Sequence, residues 1–314
     1  MASPRTTLLL ASLLWLPPSC GSNDRPETPP GPVPESATAP PVEAMEGPGG
    51  DVPADKQALL SLALTAMQAR LGDGFHTAGR FPFAVGSDLP EARLKIFLDH
   101  TVFNAYKAFN VQFFKRRPDH VLKIYLFNGR DSYRRNAERL WGDHPSTPYG
   151  YYVPSRTSLI MNIQTGGGTL VHELFHSLSE IDFPGIPKWI DEGMASLFEQ
   201  CHIEYERIFG LENWRLPILK RGIAENRTLP LRRLMATTRD EFLDEASSLH
   251  YAQARYFCMY MQDQGVLERF YRAYRDRFEE DPTGATFAEE LFEKPLEEVE
   301  ADMLRWVQTI HYRR

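Results

Sequence analysis

The sequence lacks an excess of basic charge, a membrane-spanning apolar run and any internal repeat. It has 42 acidic residues against 35 basic ones, so its formal net charge is −7, and its pI is about 5.8. This balance argues against a protein that binds nucleic acid, since such proteins carry a basic surface. After residue 20 no apolar run is long enough to cross a bilayer.

Aromatic residues are missing from a long N-terminal stretch. None occurs between Trp15 and Phe75, and residues 21–55 are dominated by Pro, Gly, Glu, Ser and Ala. Such a segment cannot bury enough apolar surface to order itself, so we expect a semi-extended tether. We expect the remainder, residues 56–314, to be a folded domain with an α/β subdomain (56–180) followed by a helical subdomain (181–314).

Residues 1–20 combine an early basic residue, Arg5, with a short apolar run over residues 8–16. The run is too short to span a bilayer and is typical of the h-region of an export signal peptide. Cys20, between a serine and a glycine, resembles the lipidated cysteine of bacterial lipoproteins, although two prolines precede this tripeptide. Signal cleavage nearby without lipidation is the alternative. We therefore expect export to the cell envelope, with a membrane lipid anchor on the periplasmic or extracellular face.

Cysteine is scarce, with three residues in the chain. If Cys20 carries lipid, Cys201 and Cys258 remain, and an exported protein permits a disulfide between them. Both are predicted to lie in helices, and the sequence does not show whether they approach bonding distance.

Residues 168–180 read GTLVHELFHSLSE and predict a buried helix that carries polar side chains. Its apolar residues cover most of the helix circumference, yet the segment also holds His172, Glu173 and His176. Buried polar groups need partners. Two histidines four residues apart share one helix face and can bind one metal ion, while Glu173 lies about 100° away round the helix. The alternative is a helix whose histidines form hydrogen bonds in the core.

A second helix is predicted over residues 187–200, and it supplies a third candidate ligand. Pro187 suits a first helical turn, and the apolar residues that follow have helical periodicity. Catalytic zinc typically takes three protein ligands, and Glu192 lies far enough after His176 for the chain to reverse and return. A solvated acidic pair at a helix start is the alternative for Asp191 and Glu192. Glu180, one turn beyond His176, is the alternative third ligand.

The segments HELFH and WIDEGMAS together resemble the gluzincin branch of the zincin metallopeptidases, in particular bacterial peptidase-MA-like families. The resemblance covers about residues 80–265. It implies one zinc ion bound by His172, His176 and Glu192, with Glu173 as the general base. One position departs from thermolysin-like gluzincins, because Ser196 stands where they have an aspartate that orients a histidine ligand.

Zincins commonly add a tyrosine or histidine that stabilises the oxyanion formed during hydrolysis. Tyr251 is the first candidate for this role and His250 the second, and both open a predicted helix. The alternative is that the two residues form an ordinary helix N-terminus.

The predicted fold is α+β: a zincin-like catalytic domain with an N-terminal mixed sheet, the HExxH helix at the cleft and a helical C-terminal subdomain. Strands are predicted at residues 81–85, 121–127, 149–153 and 158–163, the last forming the sheet edge beside the cleft. Three glycines at 166–168 suggest a flexible cleft rim, and without a following GK[ST] they do not form a P-loop. After residue 200 the chain is expected to be helical to its end.

The resulting hypothesis is a zinc-dependent peptidase that acts on a peptide or protein substrate. Two alternatives stay open at this point. One is a non-catalytic binding module on a zincin scaffold, and the other is a zinc hydrolase of a non-peptide amide, for instance in the cell wall.

Overall fold

The computed structural model describes residues 52–312. The predicted export signal, Cys20 and nearly all of the predicted tether lie outside the described residues. Within the described range, no helix combines the length and apolar character that crossing a membrane requires.

The first half of the domain is a mixed five-stranded sheet. Its strands are β1 (His76–Arg80), β2 (Phe83–Ser87), β3 (Leu122–Phe127), β4 (Gly150–Val153) and β5 (Ser158–Asn162). Their order in the sheet is β1-β2-β3-β5-β4. The inner strands β2, β3 and β5 are parallel, and β1 and β4 are antiparallel edge strands. The prediction that the strand after residue 157 forms the edge is wrong, because a short turn at Pro154–Arg156 folds β4 alongside β5.

Helices cover both faces of this sheet. They are α1 (Ala54–Leu71), α2 (Glu91–Ile96), a π-helix (Phe97–Phe103), α3 (Asn104–Gln112) and α4 (Arg130–Trp141). Successive strand residues point to opposite faces. Ile124 of β3 therefore joins the core beneath α2 and α3, while Tyr125 and Phe127 join a smaller cluster with α1 and α4.

The second half is mainly helical. Its helices are α5 (Gly167–Asp182), α6 (Lys188–Phe198), α7 (Leu216–Ala224), α8 (Leu231–Met235), α9 (Arg239–Phe242), α10 (Ser247–Asp263), α11 (Leu267–Asp276), α12 (Ala285–Phe292) and α13 (Leu296–Thr309). One continuous hydrophobic core runs from the sheet through α5 and α6 to α13. Within it the ring of Phe175 on α5 packs 5.4 Å from Phe109 of α3.

A hairpin of β6 (Cys201–Glu204) and β7 (Arg207–Gly210) interrupts the second half. The expectation of an all-helical chain after residue 200 is therefore wrong. Tyr205 and Glu206 form the turn with φ of 49° and 58°, a conformation that glycine and asparagine usually adopt. Because this turn contains neither glycine nor asparagine, the sequence does not indicate a turn here. Cys201 on β6 and Cys258 on α10 are both free thiols.

Glycines allow close contact between chain segments at two places in the second half. Gly167 and Gly168 belong to the first turn of α5 and do not form a flexible rim. A Cβ atom at Gly168 would overlap the backbone carbonyl of Glu199, so α5 begins in direct contact with the chain just after α6. A Cβ at Gly193 of α6 would lie 2.9 Å from the sulfur of Cys258. Gly193 therefore permits close packing of α6 against α10.

The α+β class, with a mixed five-stranded sheet and helices, is confirmed.

Candidate metal centre

The three predicted ligands lie together at the crossing of α5 and α6. His172 and His176 are one helical turn apart, so their Nε2 atoms project from the same face and lie 3.0 Å from each other. The Oε2 atom of Glu192 lies 3.4 Å from each of these nitrogens. All three possible ligand atoms fall within 4.8 Å of one another.

Two carboxylates face the outer nitrogens of the histidines. Oδ1 of Asp191 lies 2.7 Å from Nδ1 of His176, and Oε1 of Glu199 lies 3.0 Å from Nδ1 of His172, outside hydrogen-bond alignment. A carboxylate beside Nδ1 favours the tautomer that carries its hydrogen there, which leaves a lone pair on Nε2. Both lone pairs then point towards the oxygen of Glu192.

The Oε2 atom of Glu192 is the unpaired member of this group. It is buried and accepts no hydrogen bond within the described structure, and the residue as a whole is 2% exposed. A buried acceptor without a donor is costly. Three ligand atoms that converge in this way fit a cation at their centre.

The spacing of the three atoms fits one metal ion. Nitrogen and oxygen ligands about 2.1 Å from a zinc ion at tetrahedral angles lie about 3.4 Å apart. The observed separations are 3.0, 3.4 and 3.4 Å. The residues present therefore match a single metal ion with three protein ligands.

The charge of the site leads to the same conclusion. Glu173, Asp191, Glu192 and Glu199 supply four carboxylates. Two permanent cations face them, since Lys188 Nζ lies 2.8 Å from Oε1 of Glu192 and Arg215 Nη2 lies 3.0 Å from Glu199. With both histidines neutral, two negative charges remain uncompensated, and a divalent ion would offset them.

Without a metal ion, protons would provide the same compensation. Burial opposes protonation of His172, but Glu192 and Glu199 outweigh it and raise the pKa of this residue to about 10. For His176 burial is likewise outweighed, by Asp191 and Glu192, which raise its pKa to about 9. Both shifts favour protonation of the metal-free site, and protons there offset the same negative charge that a divalent ion would offset.

Glu173 lies beside the ligands and is not one of the three converging groups. It is 8% exposed, and burial raises its pKa above the ordinary glutamate value, although His172 and His176 act in the opposite direction. A buried carboxylate with a raised pKa next to a metal ion is suited to accept a proton and return it.

The structure separates the two candidates for oxyanion stabilisation. Tyr251 is buried on α10, and burial together with the Glu192 carboxylate holds its pKa well above the ordinary tyrosine value. It therefore stays a hydrogen-bond donor beside the cluster. His250 turns towards the chain between α9 and α10, with Nδ1 at 3.1 Å from the carbonyl oxygen of Phe242 and 3.6 Å from Asp244.

Sequence reasoning missed four residues around the ligands: Lys188, Asp191, Glu199 and Arg215. The alternative of a solvated carboxylate is wrong for Asp191, which is buried and accepts a hydrogen bond from His176. Ser196 is buried too, and the carboxylates that face the outer nitrogens of the histidines come from Asp191 and Glu199. The only sequence signal was the density of acidic residues around the second motif.

Glu180, the alternative ligand, lies exposed on α5 and outside the converging group. It acts with burial to raise the pKa of Tyr152 on β4.

No protein-family model matches the chain, and no curated protein resembles it significantly.

Proposed function

We propose that the protein is a zinc-dependent peptidase of the gluzincin type. The observation that carries the proposal is the convergence of three possible ligand atoms, from His172, His176 and Glu192, at a buried point where four carboxylates face two permanent cations. Two imidazoles and one carboxylate form the ligand set of several catalytic zinc enzymes, in which a fourth position stays open. A bound zinc ion would lower the pKa of a water molecule to about 7 and polarise the carbonyl group of the substrate.

Glu173 is the general base in this proposal. Its carboxylate removes a proton from the attacking water and later delivers that proton to the nitrogen of the leaving amine. Burial supports this role, since the raised pKa brings proton uptake and release closer to neutral pH. Tyr251 donates a hydrogen bond to the oxygen of the tetrahedral intermediate.

The fold supports a zincin-like arrangement of sheet and metal helix. The mixed sheet precedes α5 in the chain and packs against it through the common core. In the part of the chain that the structure describes, the edge strand β4 pairs with β5 alone, so an extended substrate could add to its other side by backbone hydrogen bonds. We propose a peptide or protein substrate for this reason. Export and a lipid anchor remain part of the proposal and depend on residues before 52.

The decisive test is digestion of a peptide library by the purified protein, with cleavage products identified by mass spectrometry. We expect cleavage that stops on treatment with a chelator and returns when zinc is added. A protein that binds zinc without cleaving any peptide would contradict peptidase function. Release of amino groups from a cell-wall preparation under those conditions would instead indicate a non-peptide amide as substrate.

A further inference from the structure

Lys188, the first residue of α6, is buried between two carboxylates. Its side chain is 8% exposed, and Nζ lies 2.8 Å from Oε1 of Glu192 and 3.0 Å from Oδ2 of Asp191. Each carboxylate uses its other oxygen towards a histidine, Oε2 of Glu192 towards the two Nε2 atoms and Oδ1 of Asp191 towards His176. One ammonium group thus holds the outer oxygens of both carboxylates.

This arrangement restricts the way in which Glu192 can coordinate a metal ion. A carboxylate can bind a cation through one oxygen or through both. Hydrogen bonds between an ammonium group and a carboxylate are short and strong, and they gain strength away from water. To offer its second oxygen, Glu192 would have to turn Oε1 away from Lys188 and leave a buried ammonium without that partner.

We propose that Lys188 is a positioning residue that makes Glu192 a one-oxygen ligand and so keeps the metal-loaded site four-coordinate, with substrate or water as the fourth ligand. The inference rests on the proposed metal site. Catalytic zinc sites combine three protein ligands with one water or substrate molecule, and a second oxygen from Glu192 would add a fifth ligand atom to these four. Lys188 also holds Asp191 in place against His176, so a single side chain fixes the orientation of two of the three ligands.

If Lys188 has a purely structural role, a different result is expected for the coordination number of the metal. If the lysine only compensates buried negative charge, its removal should lower stability and leave the coordination number unchanged. The distinguishing measurement is therefore the coordination of the metal, independent of activity.

Cobalt(II) provides a spectroscopic probe of this coordination in the purified full-length protein. Four-coordinate cobalt gives a more intense visible band than five-coordinate cobalt. We expect the four-coordinate band in the wild type and in Lys188→Arg, which keeps a charged donor. Lys188→Met and Lys188→Gln should lose intensity, because the released oxygen of Glu192 joins the metal.

Lys95→Met is the matched control. Lys95 pairs with Glu91 at 2.6 Å, also four residues away on a helix, but both side chains are more than half exposed. Its replacement should leave the cobalt spectrum unchanged. Circular dichroism of every variant checks that the fold is retained.

The outcomes separate the positioning role from the metal site itself. A four-coordinate spectrum in folded Lys188→Met or Lys188→Gln would overturn the positioning role while the metal site stands. A wild-type protein that binds neither cobalt nor zinc would overturn both. A crystal structure of the zinc-loaded wild type tests the proposal without any variant, because both oxygens of Glu192 at bonding distance from zinc would contradict it.

Discussion

Oδ1 of Asp191 lies 2.7 Å from Nδ1 of His176, so the residue immediately before the proposed ligand Glu192 orients another proposed ligand. Adjacent positions near the start of α6 thus face the same site in two ways: Glu192 faces the centre of the cluster, and Asp191 faces the outer edge of an imidazole. Histidine ligands usually donate their second N–H to such a carboxylate.

Asp191→Asn should weaken zinc binding by about 10- to 100-fold, as is typical when the partner of a histidine ligand is changed. The amide removes the negative charge that favours hydrogen on Nδ1 of His176. Competition titration with a fluorescent chelator measures the affinity. Asp240→Asn, an exposed aspartate on α9, is the control and should bind zinc like the wild type. Equal affinity of the two variants would show that Asp191 does not support the ligand.

Glu192→Ala should lower the zinc content of the purified protein well below one ion per chain. The change removes the only carboxylate oxygen that converges with both Nε2 atoms in the described structure. Elemental analysis measures the content. Glu180→Ala removes an exposed glutamate of α5 and should retain a full ion. If zinc stays with folded Glu192→Ala and leaves Glu180→Ala, the third ligand is Glu180.

Glu173→Gln should keep zinc and fold but lose peptide hydrolysis. The amide is nearly isosteric, yet it cannot accept the proton of the attacking water, and general-base catalysis contributes about 10²- to 10⁴-fold. The kcat of both forms is measured on one peptide substrate with matched zinc content. Glu180→Gln, on the same helix, is the control. Comparable turnover by Glu173→Gln and wild type would remove Glu173 as the base.

Zinc binding at pH 7 should release about two protons. The raised pKa values, about 10 for His172 and about 9 for His176, favour protonated rings in the metal-free protein at this pH. Zinc needs neutral imidazoles, so its affinity should rise by about 100-fold per pH unit as the pH approaches 9. Calorimetry in buffers of different ionisation enthalpy counts the protons. Release close to zero would show that the histidines are already neutral before zinc arrives.

Lipid attachment should depend on Cys20. Cells that express the wild type and receive a fatty-acid probe should label the protein and retain it in the membrane fraction. Cys20→Ser should lose both label and membrane retention, because the serine cannot form the thioether. Cys201→Ser controls for general effects of losing a thiol. A wild-type protein that is unlabelled and fully soluble would refute the anchor.

The sequence predicted the residues whose spacing along one helix determines their geometry. His172 and His176 are such a pair, and the i, i+4 rule alone places them together. Glu192 could be placed because a short Pro/Gly turn precedes its helix. Glu199 and Arg215 could not be placed from the sequence. Glu199 follows the end of α6, and Arg215, which pairs with Glu199, lies beyond a hairpin that the sequence does not predict. In the sequence, Lys188 looks like any charged residue at a helix start, because the sequence does not show that its side chain is buried.

The prediction of which strand forms the sheet edge was wrong for a related reason. Alternation and turn signals identified β4 and β5 as a pair, but nothing in either strand shows which one also pairs with β3. That choice depends on the crossover through α4, which places β5 beside β3 with Lys123 opposite Ser158. Local pattern determines the strands, and long-range packing determines their neighbours.

Gly168 has a consequence for the rigidity of the site. Without a side chain there, the first turn of α5 rests directly on the backbone carbonyl of Glu199. His172 lies one turn further along α5, and the Glu199 side chain faces its outer nitrogen. This contact ties the start of α5 to the end of α6, the two chain ends that supply the imidazole and the carboxylate of this pair. The site is preorganised, so metal capture should require little rearrangement of the backbone.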